Sequence, residues 1–242
     1  MAALLELDRV SKSYGSLQVA RSLSFSLEPG VALGVIGPNG AGKSTMFNLI
    51  TGDVRPDEGT VRIAGQDVTR LPTQTRARLG VGRSYQIPHP FVNMTVFENL
   101  LVGAVFAGGQ SETLANDTCA EVLEQVGLLS FANRPAGSLT LLQRKRLEMA
   151  RALASRPRLL LLDEIGGGLT EPECLSLVET IRGIHSRGTT IVWIEHIVHA
   201  LLSVVDRLLV VNFGNLIADG EPRAVMADPT VQSVYMGIEA AA

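Results

Sequence analysis

Cysteine is scarce: this 242-residue chain holds two, Cys119 and Cys174, at a spacing that suits neither a metal site nor a redox pair. That excludes a disulfide framework and fits a reducing compartment. Long hydrophobic runs are missing as well. The longest apolar stretch, from Leu100 to Ala107, is far too short to span a bilayer. Glu6, Asp8 and Arg9 come before any long apolar stretch, so the opening segment is not expected to be a secretion signal. Positive charge is not in excess either. The net charge is −3, which gives no global attraction to nucleic acid. Internal repeats, low-complexity tracts and long linkers are absent. What remains is 46% hydrophobic and 19% charged, a globular balance tilted slightly toward the apolar, as expected where some surface is buried against partners. The length suffices for one large domain or two small ones.

The strongest positive feature is Gly37-Pro38-Asn39-Gly40-Ala41-Gly42-Lys43-Ser44-Thr45. A glycine, four residues, then Gly-Lys-Ser is the phosphate-loop pattern. Glycines let the backbone curl so that successive N–H groups converge on an anion. A helix starting there points its positive end at the same phosphates. Asn39, Gly40, Ala41, Gly42, Lys43, Ser44 and Thr45 are therefore candidate nucleotide-binding residues, with Lys43 reaching the outer phosphates and the Ser44 hydroxyl ligating magnesium. The flanks suit the motif. Val31 to Ile36 is apolar without alternation, as a fully buried strand is, and a helix from Ser44 to Ile50 places Met46, Phe47, Leu49 and Ile50 on one side.

Elsewhere the pattern predicts strands at Leu4 to Val10 and Leu23 to Leu27, which alternate as half-exposed antiparallel strands do. A turn at Glu28-Pro29-Gly30 follows, then strands at Thr60 to Ile63 and Leu79 to Tyr85. From about Pro88 to Ser155 the character is helical. Thr95-Val96-Phe97-Glu98 is a capping box opening a helix through Val105, which Gly108-Gly109 ends. Leu114, Val122, Leu123 and Val126 mark a second helix ending at Gly127, and Arg144 to Ala154 a third. Strand–helix alternation then returns: strand Leu159 to Leu162, helix Glu173 to Ser186, strand Thr190 to Ile194, helix Ile197 to Val204, and closing strands at Leu208 to Asn212 and Leu216 to Ala218. This predicts one α/β domain over residues 1–242. Its sheet is mixed and mainly parallel with helices on both faces, an antiparallel β subdomain precedes it, and a helical subdomain is inserted at about residues 88–155.

A second chemical site follows from Leu159-Leu160-Leu161-Leu162-Asp163-Glu164, an apolar strand ending in two acids. Ligands of open parallel sheets sit beyond the carboxyl ends of the strands, where the phosphate loop also belongs. Asp163 suits the magnesium shell through water, and Glu164 suits a general base that polarises an attacking water. His196 ends another strand on the same rim and suits a place near the γ-phosphate.

With these segments in order, the chain resembles the nucleotide-binding domain of an ABC transporter over nearly its whole length, which implies a P-loop NTPase core. The resemblance implies that Tyr14, in Lys12-Ser13-Tyr14-Gly15, stacks on adenine, and that Gln86, in Ser84-Tyr85-Gln86, touches magnesium and senses a membrane subunit. It also implies roles for Asp163 as metal-site acid, Glu164 as catalytic acid and His196 as switch histidine. Phe47-Asn48-Leu49-Ile50-Thr51-Gly52, Pro90-Phe91 with Met94-Thr95-Val96-Phe97-Glu98-Asn99, and the ending Val234-Tyr235-Met236-Gly237 are similar to ATPase subunits of branched-chain or hydrophobic amino-acid uptake systems.

Three departures stand out. The family signature Leu-Ser-Gly-Gly-Gln aligns with Leu139-Thr140-Leu141-Leu142-Gln143. Thr140 can replace the serine hydroxyl, and with Gln143 it is a candidate contact to nucleotide bound on an opposite subunit. The leucines add bulk where backbone amides should approach a γ-phosphate, so a weaker or reshaped contact is expected. The loop after Glu164 reads Ile165-Gly166-Gly167-Gly168-Leu169-Thr170, where the family often has proline and then an aspartate or asparagine. Ile197 replaces an aspartate. The Arg144-Lys145-Arg146 run is expected to be a solvated helix face rather than a nucleic-acid contact.

The resemblance implies two such domains meeting head to tail around two ATPs with Mg2+, the second chain being a different one or another copy. It further implies two membrane-spanning permease subunits, a solute-binding protein, and a peripheral place on the cytoplasmic face of the cell membrane. The altered signature motivates an alternative, a weakly hydrolytic or non-hydrolytic regulatory subunit of a heterodimeric transporter. Soluble ATPases of translation or DNA repair share the domain but carry tandem copies or a long coiled-coil insertion, which this chain lacks.

Overall fold

The computed structural model describes residues 2–235. Met236 and Gly237 of the chain ending noted above lie outside the described residues. The strands are β1 (Leu5–Tyr14), β2 (Leu17–Leu27), β3 (Ala32–Ile36), β4 (Glu58–Ile63), β5 (Gln66–Asp67), β6 (Val81–Ser84), β7 (Leu159–Asp163), β8 (Thr190–Ile194), β9 (Arg207–Asn212) and β10 (Asn215–Gly220). The helices are α1 (Lys43–Thr51), α2 (Thr73–Arg78), α3 (Val96–Val102), α4 (Glu112–Gln125), α5 (Leu141–Ala154), α6 (Glu171–His185), α7 (Val198–Leu202), α8 (Pro222–Ala227) and α9 (Pro229–Tyr235). The chain forms two compact units, one holding everything up to Thr73 and from Val192 onward, the other Gln74–Ile191. The α/β class with mixed sheets expected from the sequence is found.

In the first unit an antiparallel sheet runs β2-β1-β4-β5. Leu5 and Leu7 point inward as the alternation requires. The register then shifts between Leu7 and Val10, where Arg9 takes a left-handed φ of 49°. That bulge flips the alternation by one residue, so β1 continues to Tyr14, beyond the expected end at Val10. A second sheet in this unit runs β10-β9-β3-β8. All five residues of β3 are buried, and β3 pairs parallel to β9 from Leu33↔Arg207 to Ile36↔Val210. Continuous burial on both faces explains the unbroken apolar run.

In the second unit β6 and β7 pair parallel, Val81 opposite Leu159 through Ser84 opposite Leu162. Thr95 caps α3 with the expected box: its hydroxyl accepts from the Glu98 amide, and Glu98 accepts from the Thr95 amide. The helix then passes into a π-helical turn over Gly103–Ala107. Gly103 lies so close to the Arg151 carbonyl of α5 that a side chain has no room, and the widened turn accommodates this approach. Both cysteines are buried, and burial pushes the Cys119 thiol up to about 11. Short elements escape the sequence pattern, among them β5, α2, α8 and α9. For α8 a local signal exists, since Pro222 opens the helix and Glu221 accepts from the Ala224 amide at 2.8 Å.

Candidate functional site

The first unit holds the phosphate loop between β3 and α1. Gly42, at the start of α1, has φ 105°, and Gly40 has φ 78°; both are backbone states that side chains resist. No side chain caps Gly42, and no acid lies in the first turn of α1. The leading amides of a helix have no partner within it. Here they form an uncapped positive end suited to an anion. Lys43 is only 5% exposed. Its Nζ donates to the carbonyls of Gly37 at 2.7 Å and Pro38 at 3.0 Å. The ammonium is thus curled over the loop, where a phosphate can exchange for neutral carbonyl partners. Asn39, Gly40 and Ser44 are exposed, Thr45 is half-buried and Ala41 is buried.

The same unit carries Tyr14 and His196. The Tyr14 ring is 50% exposed at the end of β1, with Lys12 Nζ 5.7 Å from its centroid. An open aromatic face beside a cation is compatible with base stacking. His196 is exposed just beyond β8, and its backbone amide donates to Glu195 Oε1 at 2.9 Å.

The second unit holds the acids. Asp163 ends β7, buried, and Arg83 of β6 donates through Nη2 to its Oδ2 at 2.7 Å. Glu164 follows with a left-handed φ of 46°. Gln86 Nε2 donates to Glu164 Oε2 at 2.6 Å. The structure therefore joins two of the expected site residues, Gln86 and Glu164, directly. The amide oxygen of Gln86 is not used in that bond, so a metal-ligand role for it stays chemically open. Among the described residues no cluster of three or more His, Cys, Asp or Glu could hold a metal ion. Magnesium does not need one, because it keeps several waters and takes one or two carboxylates plus substrate phosphates. A buried carboxylate at Asp163 and an exposed hydroxyl at Ser44 are donors of that kind.

Thr140 and Gln143 open α5. The Thr140 hydroxyl accepts from the Gln143 amide at 3.4 Å, and Gln143 Oε1 accepts from the Thr140 amide at 3.0 Å. This capping box starts α5 at Leu141, three residues before the expected start. Thr140→Ala is expected to lower Tm by about 2–4 °C, the loss of one cap of about 1 kcal/mol in a chain of this size. Thr140→Ser should melt as the native chain does. An unchanged Tm for the alanine variant, read by thermal denaturation, overturns the capping role.

Leu141 of the altered signature meets the loop after Glu164. Leu141 is 44% exposed, and a Cβ built on Gly168 comes 3.3 Å from its side chain. Gly168, at φ 78°, gives the leucine a flat backbone to lie on.

One expectation is corrected. Arg144-Lys145-Arg146 is not a solvated face. Lys145 is buried and donates to the Gln86 carbonyl at 3.2 Å. Arg144 donates to the carbonyls of Leu139 at 2.9 Å and Gly137 at 2.9 Å, and Arg146 to Ser176 Oγ at 2.8 Å. Each cation satisfies oxygens of neighbouring loops and helices, a use that a run of basic residues does not advertise. Arg83 carries no local signal of its role, because its partner Asp163 is 80 residues away in the chain.

Comparison with known proteins finds relatives over nearly the whole chain. The family model described as ABC transporter matches residues 20–166. The chain is 38% identical over 251 residues to the high-affinity branched-chain amino acid transport ATP-binding protein LivG of Escherichia coli, covering 97% of this chain and 98% of that one. It is 33% identical to the lipopolysaccharide export system ATP-binding protein LptB of Acidithiobacillus ferridurans, with 98% of each chain covered. Among solved structures, the ADP conformation of an ATP-binding cassette of an ABC transporter superposes with a TM-score of 0.88 at 30% identity, covering 98% of this chain and 100% of that one.

Proposed function

The chain belongs to the ABC transporter family, as an ATP-binding and ATP-hydrolysing subunit, and from this premise we propose that it powers uptake of branched-chain or other hydrophobic amino acids or similar small organic solutes. The phosphate loop, an uncapped helix start with Lys43 curled over it, carries the nucleotide chemistry, and the 38% identity to LivG supports the substrate class. Loop amides and Lys43 bind the outer phosphates, and Tyr14 stacks on the base. Ser44, Asp163 and Gln86 would hold magnesium, which would offset the charge of the phosphates when bound. Glu164 takes a proton from the attacking water, and His196 helps to orient that water. Thr140 and Gln143 face the nucleotide of a second ATP-binding subunit of different sequence. The higher identity to uptake proteins than to the export protein supports import.

Two permease subunits and a solute-binding protein complete the proposed assembly, with this chain peripheral on the cytoplasmic face of the membrane. Among the described residues no helix is long and apolar enough to cross a membrane. Ile87, Phe91 and Val92, exposed just after Gln86, supply apolar surface for a permease contact. The test is reconstitution in proteoliposomes with two permease subunits and a solute-binding protein co-expressed from the same source as this chain. Leucine, isoleucine or valine is expected to stimulate ATP hydrolysis and accumulate inside. Intact ATP binding with no response to any of these three solutes rules out branched-chain amino acids as the substrate.

A further inference from the structure

β6 and β7 run parallel, with Arg83 opposite Leu161. Side chains two apart on a strand share a face, so Asp163 stands on the same face as Leu161 and one step ahead of Arg83. Arg83 spans that diagonal and closes a 2.7 Å ion pair in which each side chain is only 8% exposed. The aromatic ring of Tyr85, 4.7 Å from the guanidinium carbon, backs the cation. A carboxylate this buried needs a counter-charge, and Arg83 provides it within the same unit.

We propose that Arg83 is the resident counter-ion of Asp163, holding its carboxylate oriented without metal and keeping magnesium from binding there until nucleotide phosphates arrive with it. The proposal rests on the reading of Asp163 as a magnesium-site acid. Arg83 is a positioning residue: it acts through Asp163. One oxygen of the carboxylate is engaged by the guanidinium, and the fixed positive charge repels a divalent cation that comes alone. Phosphates add the negative charge that tips the balance.

The test melts four full-length proteins, native, Arg83→Met, Asp163→Asn and Arg83→Met/Asp163→Asn, in EDTA and with Mg2+ alone. Arg83→Met leaves a buried carboxylate without its partner and is expected to melt on the order of 10 °C lower than the native chain in EDTA. The double variant removes the stranded charge and should recover at least half of that loss. Mg2+ without nucleotide should raise the Tm of Arg83→Met by several degrees, on the order of 5 °C, and leave the native and double variants unmoved. A double variant no more stable than Arg83→Met, or an Arg83→Met variant indifferent to Mg2+, overturns the proposal. Should Arg83→Met be insoluble, return of soluble protein in the double variant supports it, and equal insolubility overturns it. The reading of Asp163 is checked separately: Asp163→Asn should abolish the Mg2+ dependence of ATP binding. If that dependence survives, Asp163 is not the magnesium acid, whatever the melting data show for the pair.

Discussion

Glu164→Gln lowers steady-state ATP hydrolysis by the assembled transporter about 100-fold or more, with ATP binding retained. The expectation rests on the position of this carboxylate. Glu164 lies one residue beyond the buried β7, in a left-handed conformation that a glutamate adopts only at some cost. The turn aims its side chain at Gln86, whose Nε2 donates at 2.6 Å. Glutamine keeps the size and an oxygen that accepts the same bond, so the local geometry survives and only the basic group is lost. General-base assistance contributes roughly 100- to 10,000-fold, about 3–5 kcal/mol of barrier. The measurement is phosphate release by the reconstituted complex, paired with retention of labelled ATP under the same conditions. Turnover equal to that of the native complex removes Glu164 from the chemistry. A complex that still hydrolyses ATP when only the partner's catalytic acid is replaced shows that this chain's own site works, which excludes the non-hydrolytic alternative.

The parts of this site that were legible in the sequence are those that local rules dictate. The phosphate loop is visible because its glycines and Lys43 sit at a fixed spacing between a buried strand and an amphipathic helix. The acids were visible because they end an apolar strand, and the Thr95 cap because its box spans only four residues. What stayed hidden depends on pairing between distant segments. Arg83 becomes meaningful only once β6 lies beside β7 in the register that sets it against Leu161. Lys145 looked solvated among Arg144 and Arg146, yet the fold buries it at the Gln86 carbonyl. A buried lysine demands an oxygen partner, and that partner is 59 residues away in the chain. Leu141 and Gly168 belong to separate segments, and only the fold brings the exposed leucine against the bare backbone of the glycine. The continuation of β1 past Val10 was masked for a different reason: a bulge at Arg9 interrupts the alternation by which strands are recognised.

Gly42→Ala lowers Tm on the order of 10 °C at the middle of its expected cost and by well over that at the upper end, and abolishes stabilisation by ATP, whereas Gly40→Ala, two residues away in the same loop, lowers Tm by only about 2–8 °C. Both glycines have positive φ, 105° and 78°. An alanine pays about 1–2 kcal/mol for such a conformation at either site. The difference lies in their surroundings. A Cβ on Gly40 meets nothing within 4 Å, while one on Gly42 falls inside 3.0 Å of the Val19 carbonyl oxygen, a backbone atom of β2 that cannot turn aside. Relief requires shifting either β2 or the start of α1, and overpacking of this kind costs a further 1–3 kcal/mol, roughly, or more. Any shift of α1 also moves the uncapped amides and Lys43 away from the anion they are arranged to hold, so the loss of stability and the loss of nucleotide binding arise together. Thermal denaturation of both variants, with and without ATP, separates a steric demand at Gly42 from a general preference for glycine in the loop. Equal melting temperatures for the two variants would assign the effect to backbone strain alone and remove Val19 from the explanation.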